Sequence, residues 1–260
     1  MFDPDILTAL LLTACIAMAA FVLVAGVYYA NKPLPAGLSF EGRERPADEI
    51  HFLRDLTWVD EQGQRQCDQQ IFDTLLEMIR GSRRFILLDM FLFNDFTGRL
   101  RRAYRPLAHE LTTVLIEQKL RRPDMQILFI TDPVNTVYGG MGNPYLDRLK
   151  ASGIEVLETR LEALPDSNIF YSPLWRILFR WFGNGPGTIL PNPFGPGRVS
   201  IRSYLRMLNF KANHRKIAVA DGPGGFTALV TSANPHDGSS AHGNAAVRFS
   251  GTAVRDLLKS

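Results

Sequence analysis

The sequence predicts an α/β fold: a layered α-β-α domain around a mixed, mainly parallel sheet, preceded by one apolar N-terminal helix. Three observations predict it. Short apolar runs bounded by Gly, Pro and Asp alternate with amphipathic segments of helical period, the pattern of a sheet covered by helices. Ile6 to Ala30 contains no charged residue. Apolar residues make up 46% of 260, enough to bury a substantial core.

In chain order, Ile6 to Ala30 comes first, long enough to cross a bilayer as a helix, which takes about 20 apolar residues. A signal peptide fits poorly, since Asp3 and Asp5 stand where a basic region belongs and the run is too long. A buried core helix would show more polar residues on one face. Lys32, Arg43 and Arg45 follow the span and acids precede it, which places the bulk of the chain in the cytoplasm at the inner (plasma) membrane. Asn31 to Pro46, rich in Pro, Gly and charge, reads as a linker. The expected division is an anchor at 1–30, a linker at 31–47 and one domain at 48–260.

Within that domain Phe72, Leu75, Leu76 and Ile79 recur at helical spacing across Gln69 to Arg80. Arg84 to Phe93 is a dense apolar run, as in a strand buried on both faces. A basic loop with Arg99, Arg101 and Arg102 leads to a second amphipathic helix from Pro106 to Leu120. Met125 to Thr131 and Ile154 to Leu157 read as strands, with a short helix from Tyr145 to Ala151 between them. Trp175, Leu178, Phe179, Trp181 and Phe182 then cluster with Arg176 and Arg180, ahead of a Gly/Pro run from Gly183 to Gly197. A helix packed on the core explains this segment, and so does an interfacial element with aromatics at headgroup depth and arginines near lipid phosphates. Arg198, Arg202, Arg206 and Lys211 follow. They are either a solvated basic face or a surface that attracts phosphate.

Composition excludes little. The net charge of +3 neither demands nor forbids an anionic partner. Two cysteines, Cys15 and Cys67, make neither a disulfide framework nor a zinc site.

The stretch that carries chemistry runs from His214 to Asn234. It reads H-R-K-I-A-V-A-D, a G-P-G-G turn, then F-T-A-L-V-T-S-A-N: two strands and a hairpin. Period-two alternation puts His214 and Lys216 on one face and Ser232 and Asn234 on one face of the next strand. Asp221 closes the first strand. A lone histidine at a strand end is an ordinary polar residue. The spacing His-x-Lys-x4-Asp followed by Ser-x-Asn is much rarer. An imidazole is a nucleophile toward phosphorus near neutral pH, and an ammonium two residues on neutralises phosphoryl oxygens as charge develops.

His214, Lys216 and Asp221 resemble the HKD motif of the phospholipase D superfamily, and Ser232-Ala233-Asn234 resembles the Gly-Ser-x-Asn element that follows it. The run from Asn209 to Phe249 looks like the bacterial phosphatidylserine, phosphatidylglycerophosphate and cardiolipin synthase branch. The resemblance implies a phospholipase D-like domain acting on phospholipids. His214 would form a phosphohistidine and a second histidine would protonate the leaving alcohol. Lys216 and Asn234 would hold phosphoryl oxygens, Ser232 would support that pocket, and Asp221 would orient local groups. No cofactor and no metal are implied, so His236, Asp237 and His242 are read as loop residues.

Two departures matter. Superfamily members bring two HKD motifs to one site, and here His51, His109, His236 and His242 all lack a lysine at the right spacing. The downstream carboxylate that pairs with a motif histidine in many members is absent from Gly243 to Phe249. The expected partners are therefore a membrane, a phospholipid and either a second copy of the chain or a complementary half; nucleic acid is disfavoured by the modest charge and the apolar span. The alternatives are a nuclease of the same superfamily and a truncated half without activity.

Overall fold

The computed structural model describes residues 4–97, 104–182 and 189–259. Arg99, Arg101 and Arg102 of the expected basic loop, and part of the Gly/Pro run, lie outside them. Helix α1 spans Pro4–Asn31 and buries only Gly26 among its 28 residues. By length and composition it is able to cross a membrane. Its apolar side chains have no protein core to enter: Leu10, Leu12 and Ile16 are each more than half exposed.

After a coil at 32–47 the chain enters a sheet of eight strands in the order β2-β1-β10-β9-β8-β3-β4-β5. These are β1 Asp48–Val59, β2 Arg65–Gln69, β3 Phe85–Met90, β4 Gln126–Thr131, β5 Glu155–Glu158, β8 Lys216–Gly222, β9 Gly225–Thr231 and β10 Asn244–Ser250. A separate two-stranded ribbon pairs β6 Leu190–Pro191 with β7 Arg198–Val199.

The sheet is mixed but mostly antiparallel, which corrects the expectation of a mainly parallel one. Only β3–β4 and β4–β5 are parallel. The reason is the length of the connections. A parallel pair needs a crossover of a dozen or more residues, whereas short turns join antiparallel neighbours. Helix α3, Leu107–Arg121, and helix α4, Pro144–Ala151, supply the two crossovers. Tight turns join β1 to β2 and β8 to β9, the latter through Pro223-Gly224, with Gly225 at φ 116°. The strand β1 is itself a departure, since no element is expected from sequence between Asp48 and Gln66. Its exposed face, with Ile50, Phe52 and Trp58 among charged neighbours, gives a weak alternation signal.

Helices cover both faces. Helix α2, Gln70–Gly81, packs with α3 and α4 over a core that includes Leu75, Ile79, Leu88, Leu111, Phe129 and Ala218. Helix α7, Val254–Lys259, closes a smaller core of Leu87, Ile217, Val219 and Ala228 on the other face. Strand β8 is thus buried on both sides, and its N-terminal end lies beside the C-terminal end of β3, because Lys216 pairs with Met90.

The aromatic segment forms α5, Tyr171–Leu174, continued by a wider π turn over Trp175–Phe179. It touches α1. Helix α6, Ile201–Met207, capped by Ser200, leads into the motif and is not signalled by periodicity, having a single buried residue, Ser203.

Candidate active site

The site is built where β3 and β4 end and β8 begins. His214 precedes β8 instead of lying in it, and its imidazole is exposed. The strand starts late because Asn213 is pinned from several sides. Its backbone N–H donates to Asp132 Oδ2 (2.7 Å), and its side-chain amide donates to Asp89 Oδ1 (2.8 Å) and Thr159 Oγ1 (3.1 Å). Backbone polar groups that leave the ladder must find such partners elsewhere. Asp132 is fully buried at the end of β4 and also caps the following turn by accepting from Val134 N (2.8 Å). Burial pushes its carboxyl up to about 6 against those hydrogen bonds. Asp89, buried on β3, is raised by the same cause, with Arg215 Nε 3.5 Å away.

Lys216 is buried, and its ammonium donates to the His214 carbonyl (2.9 Å) and stands 5.0 Å from the Phe91 ring centre. Phe91 also packs on the imidazole, with ring centres 4.6 Å apart. Phe91 N–H donates in turn to the Arg215 carbonyl (3.0 Å). The partial desolvation left at this exposed ring where Phe91 packs on it, then the Lys216 charge, lowers the His214 pKa below the ordinary imidazole range, and burial lowers Lys216 as well. Both shifts favour the uncharged form of their group, and in the imidazole that is the form with a free nitrogen lone pair.

Asn234 reaches the same place from β9. Its Oδ1 accepts from Leu92 N (3.0 Å), the residue after Phe91, and its amide nitrogen makes no hydrogen bond among the described residues. The Phe91–Leu92 turn thus links His214, Lys216 and Asn234 into one cluster.

Two expected residues are placed differently. Asp221 lies at the opposite end of β8, about 17 Å along the strand from Lys216. Its carboxylate accepts from Ser82 Oγ (2.9 Å) and from the N–H groups of Arg83 (3.1 Å), Arg84 (2.9 Å) and Phe85 (2.8 Å), which hold it below the usual carboxylate range despite burial. It fastens the α2–β3 loop to the sheet and does not share a strand end with the imidazole. Ser232 is exposed, and its hydroxyl is committed to β10, donating to Asn244 Oδ1 (3.1 Å) and accepting from Ala245 N (3.0 Å).

The loop residues after Asn234 have structural duties. Asp237 accepts from Ala108 N (3.1 Å) in the first turn of α3. His236 has both ring nitrogens engaged, Nε2 with the Phe96 carbonyl (2.6 Å) and Nδ1 with Ser239 Oγ (3.4 Å). Among the described residues no group of three or more His, Cys, Asp and Glu is arranged to hold a metal ion. The positioning trio Asn213, Asp89 and Asp132 was missed in the sequence; the only signal was that Asn213 adjoins His214 and that Asp132-Pro133 ends a strand.

No protein-family model matches the chain, and no curated protein is similar to it in sequence. Among solved structures it is similar to Nuc, a phospholipase D family member from Salmonella typhimurium, at 10% identity over 81% of this chain and 88% of that one, with a TM-score of 0.40. It is similar to NucT from Helicobacter pylori at 11% identity over 81% and 91% of the two chains, TM-score 0.37. A third similar structure is the phosphatidylserine synthase of Haemophilus influenzae, at 12% identity over 82% of this chain and 37% of that one, TM-score 0.37.

Proposed function

We propose that the chain is a membrane-anchored phosphodiesterase or phosphatidyltransferase of the phospholipase D type, acting on phospholipids through a phosphohistidine on His214. One observation carries the reading: an exposed imidazole packs on Phe91 next to a buried lysine and the unengaged amide of Asn234. In the first step His214 attacks phosphorus, a P–N bond forms and the P–O bond to the leaving alcohol breaks. Lys216 and the Asn234 amide take the charge on the phosphoryl oxygens. Water or an acceptor alcohol then displaces the histidine and regenerates the ring.

The leaving alcohol needs a proton from a second acid. His236 does not supply it, because both its nitrogens are engaged. We assign that role to a second copy of the chain. A row of residues across the sheet supports this choice: Phe52, Val247, Val230 and Ile217 pair in register up to Asp89, which holds Asn213. Phe52 is 70% exposed, and Val247 and Val230 are 38% and 39% exposed, an apolar strip that a second copy would cover. Helix α1 would hold both copies in one membrane and raise their effective concentration, with the domain in the cytoplasm behind Lys32, Arg43 and Arg45.

The test is incubation of the detergent-purified chain with labelled phosphatidylglycerol and, separately, with DNA. Phospholipid turnover, a trapped phosphoryl group on His214 and a loss of about 10³-fold or more in His214→Ala are expected. Cleavage of DNA alone would move the chain to the nucleases, and undiminished turnover in His214→Ala would remove the assigned nucleophile.

A further inference from the structure

A second site lies apart from His214, between the end of α1 and the segment α5–α6. A cavity of about 370 Å³ is walled by Arg176, Arg180, Arg202, Arg206 and Lys211, with Tyr29 of α1 at its edge. That volume suits a small ligand group. Its charge is unbalanced. Asp166 alone serves both Arg176 (2.5 Å) and Lys211 (2.8 Å), and Glu162 serves Arg206 (2.9 Å). Arg180 stacks on Trp181, and Arg202 donates only to the Phe179 and Arg180 carbonyls, so neither makes an ion pair within 4 Å among the described residues, although Glu162 lines the same cavity. Arg202 Nε is buried without any hydrogen-bond partner. Such an N–H is costly to bury unless something accepts from it.

We infer that this cavity holds the phosphate of an anionic phospholipid headgroup, separately from the histidine site. Arginine forks match phosphate oxygens in pairs. The position selects a lipid over a soluble anion. Tyr29 lies in the last turn of α1, stacks under Arg176 at 3.7 Å, and its carbonyl accepts from Asp166 N (3.0 Å). If α1 spans a bilayer, this turn sits at headgroup level, where basic groups are drawn to anionic lipid. Phe170, Trp181 and Phe182, at the two ends of the segment that lines the cavity, are each about two-thirds exposed and could serve as interfacial anchors. The inference rests on the membrane reading of α1 and not on the histidine chemistry.

The experiment uses the full chain carrying His214→Ala, so that turnover cannot consume the probe, in a neutral detergent. Tryptophan fluorescence, to which Trp175 in the cavity wall contributes, follows titration with dihexanoyl phosphatidic acid, dihexanoyl phosphatidylcholine, inorganic phosphate and a short single-stranded oligonucleotide. Phosphatidic acid is expected to bind at least tenfold more tightly than phosphatidylcholine or phosphate, and Arg180→Gln and Arg206→Gln each to weaken it about tenfold. Arg255→Gln on α7 leaves it unchanged. Arg180→Gln breaks no hydrogen bond among the described residues, so a loss there is not a loss of folding; thermal unfolding of each variant checks this. Absence of binding, equal affinity in the arginine variants, phosphate bound as tightly as the lipid, or tighter binding of the oligonucleotide would each overturn the inference. Because binding is read without turnover, it can fail while phospholipid cleavage stands, and the reverse.

Discussion

Asn213 has no reactive group, yet three of its hydrogen bonds decide where the imidazole next to it stands. The two carboxylates that receive most of them are buried, and both are raised by that burial. For Asp132, at about 6, the native chain holds the proton more tightly than the unfolded one. Its contribution to stability is therefore fully present below the ordinary carboxylate pKa and is lost as pH rises through about 6. The difference corresponds to ~3 kcal/mol. Urea unfolding of the detergent-solubilised chain between pH 4 and 7 is expected to show this decline, and subtracting the curve of Asp132→Asn should remove it. Asp221 behaves oppositely. Its depressed carboxyl stabilises the fold above the ordinary carboxylate pKa, and that stability is lost as pH falls through the folded value. Asp221→Asn should cost about 1–3 kcal/mol of stability, since it weakens a charged acceptor for three backbone N–H groups. Because Asp221 is far from the ring, the folded fraction of this variant should keep its turnover, a split that unfolding and activity measurements on one sample will show. For His214 itself, the acid limb of kcat/KM against pH is expected below the ordinary imidazole range, set first by partial desolvation and then by Lys216.

Between elements, the contact that matters most for the membrane reading is α1 against α5. Gly26 is the one buried residue of α1, and a Cβ there would run into the Ile169 carbonyl. The close approach lets Tyr29 reach Arg176. Gly26→Val should cost about 1–3 kcal/mol through overpacking and separate the two helices. Gly81→Ala, at a position where nothing lies within 4 Å, is the control. Thermal unfolding together with the environment of Trp175 will report both. The periodicity that announces α2 is strong because it turns one apolar stripe to the core, whereas the buried face of α3 also carries Thr112 and Gln118. α6 and β1 gave little warning for the opposite reason: one buries a single serine, the other exposes apolar residues on a face left open.

At the scale of the whole molecule, the open face of β1, β10 and β9 and the one His-x-Lys spacing in the sequence are the grounds for the proposed second copy. Phe52→Asp is expected to convert the detergent-solubilised species from two chains to one and to abolish turnover together. An active monomer would contradict the assignment. If each copy gives one His214, adding excess His214→Ala chain before assembly should suppress activity more than dilution does.

The order of residues was enough to announce an apolar helix of membrane length, a layered α/β body, and a histidine and lysine two residues apart at the start of one strand. Each of these is local: a run of side chains, a period, or a spacing of two along one strand. Only the folded chain decided that most strands pair antiparallel, that Asp221 belongs to a loop staple at the far end of β8, and that Ser232 serves β10. It also decided that Asp89, Asp132 and Asn213 aim the imidazole and that basic residues from α5, α6 and the following loop share one cavity with Tyr29. Those facts depend on which distant segments meet, and a chain records the chemistry of its residues more plainly than their neighbours.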